Sequence, residues 1–316
     1  MHDSPSTTQE LPPDAHLLGQ FIPLHYHHLM LSDKARTGAF AEAITKLVRP
    51  GHRVVELGGG TGILSFLAAR QGAKVTYVEL NPELFHFASA TLRRNGVAES
   101  IRMVHADAAT FLPAEPTDVV ICEMLYSGMM REKQLNVLSQ FRAEYLSTFG
   151  PPLPRFIPEV AFLAVQPVQH PFEFFGYKCP LPVFQDPATS YPETIELGDA
   201  AIYSTIDYTQ HVPLQFQWRG KIRVSKGGRL TALRFITKNI VAVLMEESRT
   251  IDWHNAYLLL PLEQPMDVEI GTQLQISFEY RAGESIDTLA QTMRVEVLPD
   301  APQVTVRPRH GLTLAE

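Results

Sequence analysis

The pattern of apolar and polar positions divides the 316-residue chain into two textures. Up to about residue 150, short apolar runs alternate with stretches in which apolar residues recur at helical spacing. Val54, Val55 and Leu57 read as a strand, Ile63, Leu64, Phe66, Leu67 and Ala68 as a helix, and Val75 to Val78 as a second strand. Further on, the pattern predicts a helix over Asn81 to Arg94, a strand over Ile101 to His105, a strand over Asp118 to Cys122 and a helix over Arg131 to Leu146. A helix running through Leu47 is expected ahead of the first strand. Strands and helices in alternation predict a doubly wound, Rossmann-like α/β domain.

The prolines of Pro151-Pro152-Leu153-Pro154 mark a boundary, because prolines at this density end a helix and stiffen a linker. Beyond it the period is two. Val160 to Val168, Leu214 to Trp218, Lys221 to Val224, Leu230 to Phe235, Ile240 to Met245, Ala256 to Leu260, Leu274 to Tyr280 and Met293 to Val297 read as strands, which implies a β-barrel or sandwich. The expected organisation is a disordered lead over residues 1–15, an α/β domain over 16–152 and a β-barrel domain over 153–316. An aromatic and proline-rich insertion at about 171–196 is either a long loop packed on its own domain or an arm reaching a second copy.

Composition narrows the function classes. Hydrophobic residues make up 45% and charged residues 19%, as in a soluble globular protein. The longest apolar runs are too short to span a bilayer, so no membrane role is expected. A formal charge of −7 argues against nucleic-acid binding, which needs a basic face. Cys122 and Cys179 offer neither a disulfide framework nor a cysteine metal site, and the first residues carry no basic and apolar leader. A cytoplasmic setting follows as the expectation. His25, His27 and His28 lack a carboxylate or thiolate at ligand spacing, so no metal is expected there.

The chemistry centres on Gly58-Gly59-Gly60-Thr61-Gly62 between the first strand and its helix. Glycines turn the backbone sharply and let it approach a ligand, and the helix that opens there points free N–H groups into the turn. Glu79 ends the second strand, where a carboxylate can accept both hydroxyls of a ribose. A dinucleotide fingerprint fails at its third position, which falls on Ile63. Glu56 with Gly58, Gly60 and Gly62 instead resembles motif I of S-adenosylmethionine-dependent methyltransferases, and Glu79 resembles their ribose-binding acid. Asp107, after the third strand, is either the acceptor for the adenine amino group or a helix N-cap.

Four further features resemble the protein arginine methyltransferases. They are the string Met30-Leu31-x-Asp33-x-x-Arg36-Thr37, the two glutamates Glu123 and Glu132 after the fourth strand, Pro158 at the second domain, and Trp253 ahead of the apolar strand Tyr257 to Leu260. The resemblance implies that Met30 lies over S-adenosylmethionine, that Arg36 pairs with its carboxylate, and that Glu123 and Glu132 hold the substrate guanidinium, with Trp253 lining the substrate side. It also implies that the insertion is a dimerisation arm and the protein a homodimer. A guanidinium keeps its charge up to a pKa above about 12, so two carboxylates are a fitting clamp.

Two positions depart from that family. Asp252 stands where it has a histidine, which would set two carboxylates, Asp252 and Asp33, against each other and leave a shared proton or a new general base. His254 or His27 is the alternative source of the imidazole. The family's N-terminal Tyr-Phe-x-x-Tyr falls on Leu17-Leu18-Gly19-Gln20-Phe21. Both changes sit where substrate is selected. The expected reaction is therefore methyl transfer to a guanidino nitrogen of free arginine, a guanidino metabolite or a protein arginine. A methyltransferase of another small molecule, and an inactive cofactor-binding partner, are the alternatives.

Overall fold

Asp33 splits the expected N-terminal helix in two in the computed structural model, which describes residues 24–299. The proposed lead and the Leu17 to Phe21 stretch lie outside the described residues. Helix α1 (Leu24–Ser32) ends at Asp33, whose side chain accepts the Arg36 N–H at 2.9 Å and so caps α2 (Lys34–Leu47). The α/β unit follows as β1 (Arg53–Leu57), α3 (Ile63–Arg70), β2 (Lys74–Glu79), α4 (Pro82–Arg94), β3 (Ile101–His105), β4 (Val119–Cys122), α5 (Gln134–Phe149) and β5 (Arg155–Ile157). Its five strands are parallel in the order β3-β2-β1-β4-β5. Val54, Val55, Leu57, Val119, Val120 and Ile121 are buried, as expected of central strands covered on both faces. The order reverses between β1 and β4, so a crevice opens beyond their carboxyl ends.

The second unit is antiparallel. It comprises β6 (Val160–Gln169), the hairpin β7 (Glu173–Phe174) and β8 (Tyr177–Lys178), β9 (Val183–Gln185), β10 (Ile195–Glu196), β11 (Ala201–Asp207), β12 (Gln215–Arg223), β13 (Gly228–Leu244), β14 (Arg249–His254), β15 (Tyr257–Val268), β16 (Gln273–Arg281), a short helix α6 (Ile286–Thr292) and β17 (Arg294–Leu298). One sheet runs β10-β6-β13-β15-β9 with β11 paired to β6 and β14 to β13, and a second runs β12-β16-β17. Curled against each other they form the barrel. Its interior is aromatic, with the Phe278 ring 5.2 Å from Phe235 and 5.0 Å from Tyr203.

Two pairs of expected strands prove to be single ones. Strand β12 runs unbroken through Gly220, paired to β16 along its length, and the Trp218 ring lies across that residue, where a Cβ would come within 2.1 Å of it. Strand β13 runs unbroken through Thr237-Lys238-Asn239, which the pattern marks as a polar break; Thr237 and Asn239 are in fact 0% exposed. Strands β11 and β14 were not expected, since polar and charged residues interrupt their apolar positions. Among the described residues no helix is long and apolar enough to cross a membrane.

Candidate active site

The carboxyl ends of β1, β2 and β4 open on one cavity, whose floor is the glycine turn. Met30, Glu56, Gly58, Gly60, Glu79 and Asp107 line it. Arg36, Glu123 and Glu132 line it as well, with Arg36 paired to Glu123. Residues up to about 100 positions apart are thus brought to one place by the parallel sheet together with the two N-terminal helices.

The turn is built for close approach. Gly58 and Gly60 have φ of +72° and +53°, left-handed backbone that favours glycine. Gly58 and Gly59 N–H groups donate to Val78 O at 3.0 and 2.9 Å, tying the turn to β2. Tyr77 then fixes it from beneath, with its ring against Gly59 and its hydroxyl donating to Gly60 O at 2.7 Å. Gly62 differs from expectation. It caps α3 and faces Leu92 and Ala88, so its φ of +81° serves the helix start and it does not line the cavity.

Both acids of the turn are oriented by the backbone. Glu79 accepts from Gly60 N at 2.9 Å through one oxygen and from Asn81 N at 2.8 Å through the other. A carboxylate has about four acceptor positions, so about two remain for a pair of hydroxyls. Glu56 accepts from Ser65 N at 2.9 Å and from the Ser65 hydroxyl, bracketing β1 to α3. Burial pushes its carboxyl up to about 8 against the pull of those bonds. Asp107 accepts from Ala109 N at 2.9 Å in a tight turn with no helix after it, so the N-cap alternative fails.

At the reactive end, Gln134 holds the backbone on both sides of Glu123. Its amide donates to Cys122 O at 2.8 Å and accepts from Met124 N at 2.9 Å. One Glu123 oxygen is ion-paired with the Arg36 guanidinium, while the other is buried without a hydrogen-bond partner. Burial pushes Glu132 up to about 7, opposed by the positive charges of Arg36 and Arg131. The Arg36 guanidinium also lies 5.7 Å from the centre of the Trp253 ring. Trp253 thus packs against the clamp without lining the cavity.

The structure also corrects what was expected of Asp252. Asp252 is not brought to the cavity. Ile251 and Trp253 are buried on one face of β14, which turns Asp252 to the other, where it pairs with Lys238 Nζ at 2.6 Å. Burial disfavours its charge, yet hydrogen bonds from Lys238 and Thr250 outweigh that and keep the carboxyl below its ordinary value. Asp33 is occupied as the α2 cap, so the two-carboxylate pair does not form. His254 shares the Asp252 face. His27, expected on the substrate side, does line the cavity, beside Gly60, with its ring 3.5 Å from where a Cβ would stand. Tyr77 and Gln134 were missed, since nothing in the periodicity distinguishes a tyrosine under a turn or a glutamine opening a helix.

The comparisons agree with this geometry. Residues 54–144 match the family model described as "Methyltransferase domain". An uncharacterised protein of Methanothermobacter thermautotrophicus is 28% identical over 84% of this chain and 95% of its own length. A probable protein arginine N-methyltransferase 6 of Arabidopsis thaliana is 28% identical over 54% of this chain, and is itself covered over only 40% of its length. Among solved structures, the Trypanosoma brucei PRMT1 enzyme-prozyme heterotetrameric complex with AdoHcy superposes with a TM-score of 0.67 at 16% identity, over 88% of this chain and 99% of that one. Residues 54–144 of the chain thus form a methyltransferase domain. In sequence it is similar over about half its length to the probable A. thaliana arginine N-methyltransferase, and in its pairing of α/β unit and barrel to the T. brucei structure.

Proposed function

We propose that the protein transfers a methyl group from S-adenosylmethionine to a guanidino nitrogen of arginine, free or within a protein, or of a related guanidino compound. The observation that carries this reading is the Glu123 carboxylate. It already holds a guanidinium, that of Arg36, and its second oxygen is buried, unpartnered and on the same cavity as Glu132.

S-adenosylmethionine supplies a methyl group activated by a sulfonium. Glu79 would hold its ribose, Asp107 its adenine, and Arg36 its carboxylate, with Gly58 and Gly60 permitting close approach. The buried, partly satisfied Glu79 carboxylate and the left-handed glycines fit such a group, and the T. brucei relative's structure contains AdoHcy. Glu123 and Glu132 hold the substrate guanidinium, each contact worth on the order of 4 kcal/mol at an effective dielectric of about 20. Fixing one nitrogen toward the methyl group is catalysis by orientation. Glu132, with its carboxyl raised to about 7, is suited to take up the proton released at the methylated nitrogen.

The homodimer and the cytoplasmic setting belong to the same reading. The β7–β8 hairpin presents Phe174, Phe175 and Tyr177 to solvent, which supports an arm seated on a second copy. Deleting Phe172 to Tyr177 is expected to give monomers in sedimentation; a shortened protein that stays dimeric refutes the arm. Methyl transfer is tested with labelled S-adenosylmethionine, offering free arginine, other guanidines and an arginine-rich peptide in parallel. Label on a guanidine that is lost in Glu123→Gln supports the reaction and selects the substrate. Cofactor binding without label on any of them overturns it.

A further inference from the structure

The loop carrying the two glutamates belongs to the α/β unit in sequence, yet its backbone is held by the barrel. Asn255 Nδ2 donates to Leu125 O at 3.1 Å, and Ser127 Oγ donates to Ala256 O at 2.6 Å. Gly128 is gripped on both sides. Its N–H donates to Thr237 Oγ1 at 2.7 Å and its carbonyl accepts from the Tyr280 hydroxyl at 2.8 Å. Gly283 N donates to Met129 O at 2.9 Å, and Arg131 N donates to Glu284 O at 2.8 Å.

The gripping side chains are themselves fixed. Asn239 Nδ2 donates to Asn255 Oδ1 at 2.9 Å, Asn255 N donates to Thr237 O at 3.1 Å, and the Tyr203 and Tyr280 hydroxyls share a hydrogen bond of 2.7 Å. Thr237 and Asn239 are wholly buried, so no water competes for these bonds. The loop needs such support. Met129 and Arg131 have φ of +57° and +58°, left-handed backbone that non-glycine residues hold only where their surroundings over-determine it. Arg131 directly precedes Glu132. An altered grip on residues 125–131 therefore moves Glu132, whereas Gln134 fixes Glu123 locally.

We propose that Thr237, Asn255 and Tyr280 are positioning residues for the reaction: through the backbone of Leu125 and Gly128 they set where Glu132 stands relative to Glu123. The inference rests on the proposed guanidino methylation for its catalytic meaning. The barrel is then part of the carboxylate clamp without touching cofactor or substrate. A displacement on the order of 1 Å in such a clamp costs roughly a hundredfold in rate.

The test compares Thr237→Val, Thr237→Ser and Tyr280→Phe in the full chain. Valine keeps the shape and removes the acceptor, and serine keeps the hydroxyl. The expected result is a fall of roughly tenfold or more in kcat/KM for the methylated guanidine in Thr237→Val and Tyr280→Phe, with S-adenosylhomocysteine affinity by calorimetry at the wild-type level and recovery in Thr237→Ser. The acidic limb of the rate profile should shift in the two impaired variants. Rate and profile at wild-type values in Thr237→Val and Tyr280→Phe overturn the proposal. So does a loss shared equally by cofactor affinity and left unrecovered by serine, because that is general destabilisation. If the wild-type protein methylates no guanidine, the functional reading fails separately, and amide exchange decides the positioning. Faster exchange at Gly128 to Arg131 and a shifted Glu132 titration by carbon NMR in Thr237→Val support it, and unchanged values overturn it.

Discussion

The guanidinium of Arg36, on α2, is ion-paired with the carboxylate of Glu123 at the end of β4. This pair links the two ends of the site, because Arg36 is also the cation placed for a cofactor carboxylate. When Arg36 turns to that carboxylate, the Glu123 charge is left uncompensated and free to bind a substrate guanidinium. Guanidine binding should therefore be weak alone and strengthen about tenfold or more once S-adenosylhomocysteine is bound, a coupling of about 1.4 kcal/mol. Calorimetric titration of arginine, or whichever guanidine is methylated, into the protein with and without S-adenosylhomocysteine measures it. Equal affinities in the two titrations contradict the exchange.

Glu132 sets the pH dependence. Burial raises its carboxyl to about 7, so below that pH it is protonated and can neither pair with a guanidinium nor take up a proton. The kcat/KM for the guanidine should rise through about pH 7 and level off above pH 8. Glu132→Gln should be slow throughout and lack that limb. A wild-type profile flat between pH 6 and 8 assigns the proton to another group.

Glu56 predicts stability. Its folded value of about 8 lies above the ordinary 4.5, so the folded state binds the proton more tightly than the unfolded chain. Stability is then highest below pH 4.5 as far as this group is concerned, and declines as pH rises to about 8. The decline amounts to at most a few kcal/mol. Glu132 acts in the same direction over a narrower range. In urea melts the Glu56→Gln protein should lose less stability between pH 5 and 8 than the wild type, since glutamine still accepts from Ser65. Parallel curves for the two proteins contradict a neutral buried carboxyl.

The α/β unit was legible because its signal is local. Val54 to Glu79 carries strand, turn, helix and strand in one window, and Glu79, Gly58 and Gly60 meet at the cavity by the geometry of parallel strands alone. The grip on the glutamate loop was not legible. Thr237 and Asn255 meet residues more than 100 positions away, and a period of two gives a strand's face without naming its partner. Their polar character even marked Thr237 to Asn239 as a break. Asp252 was misplaced for a different reason. Matching it to a motif gave its position in the chain, while the alternation Ile251, Trp253 buried against Asp252, His254 turned away was already in the sequence and decided the face.

That face makes Asp252 dispensable. Asp252→Asn removes a half-exposed ion pair with Lys238, which is worth no more than about 1 kcal/mol at such a site. Turnover at saturating cofactor and its pH profile should stay within about twofold of wild type, which is the scatter of a substitution away from the reacting atoms. A larger loss of turnover with unchanged melting would put Asp252 back among the groups that reach the substrate.

Gly59 carries the opposite expectation, although no ligand need touch its side. A Cβ there would stand 2.2 Å from the Tyr77 ring, where carbon atoms require about 3.5 Å. The ring cannot retreat, because Tyr77 is fully buried in β2 and its hydroxyl is bonded to Gly60 O. The turn must move instead, carrying Gly60 N away from Glu79 and disturbing the acid that faces the ribose position. Gly59→Ala should lower stability by about 1 to 3 kcal/mol and weaken S-adenosylhomocysteine binding by about tenfold or more. Tyr77→Val in the same chain makes room for the new methyl group, so the double variant should lose less than the two single losses combined. Calorimetry and urea melts on the four proteins measure that coupling. Additive losses would mean that the ring and the turn act independently, and that the clash is relieved elsewhere.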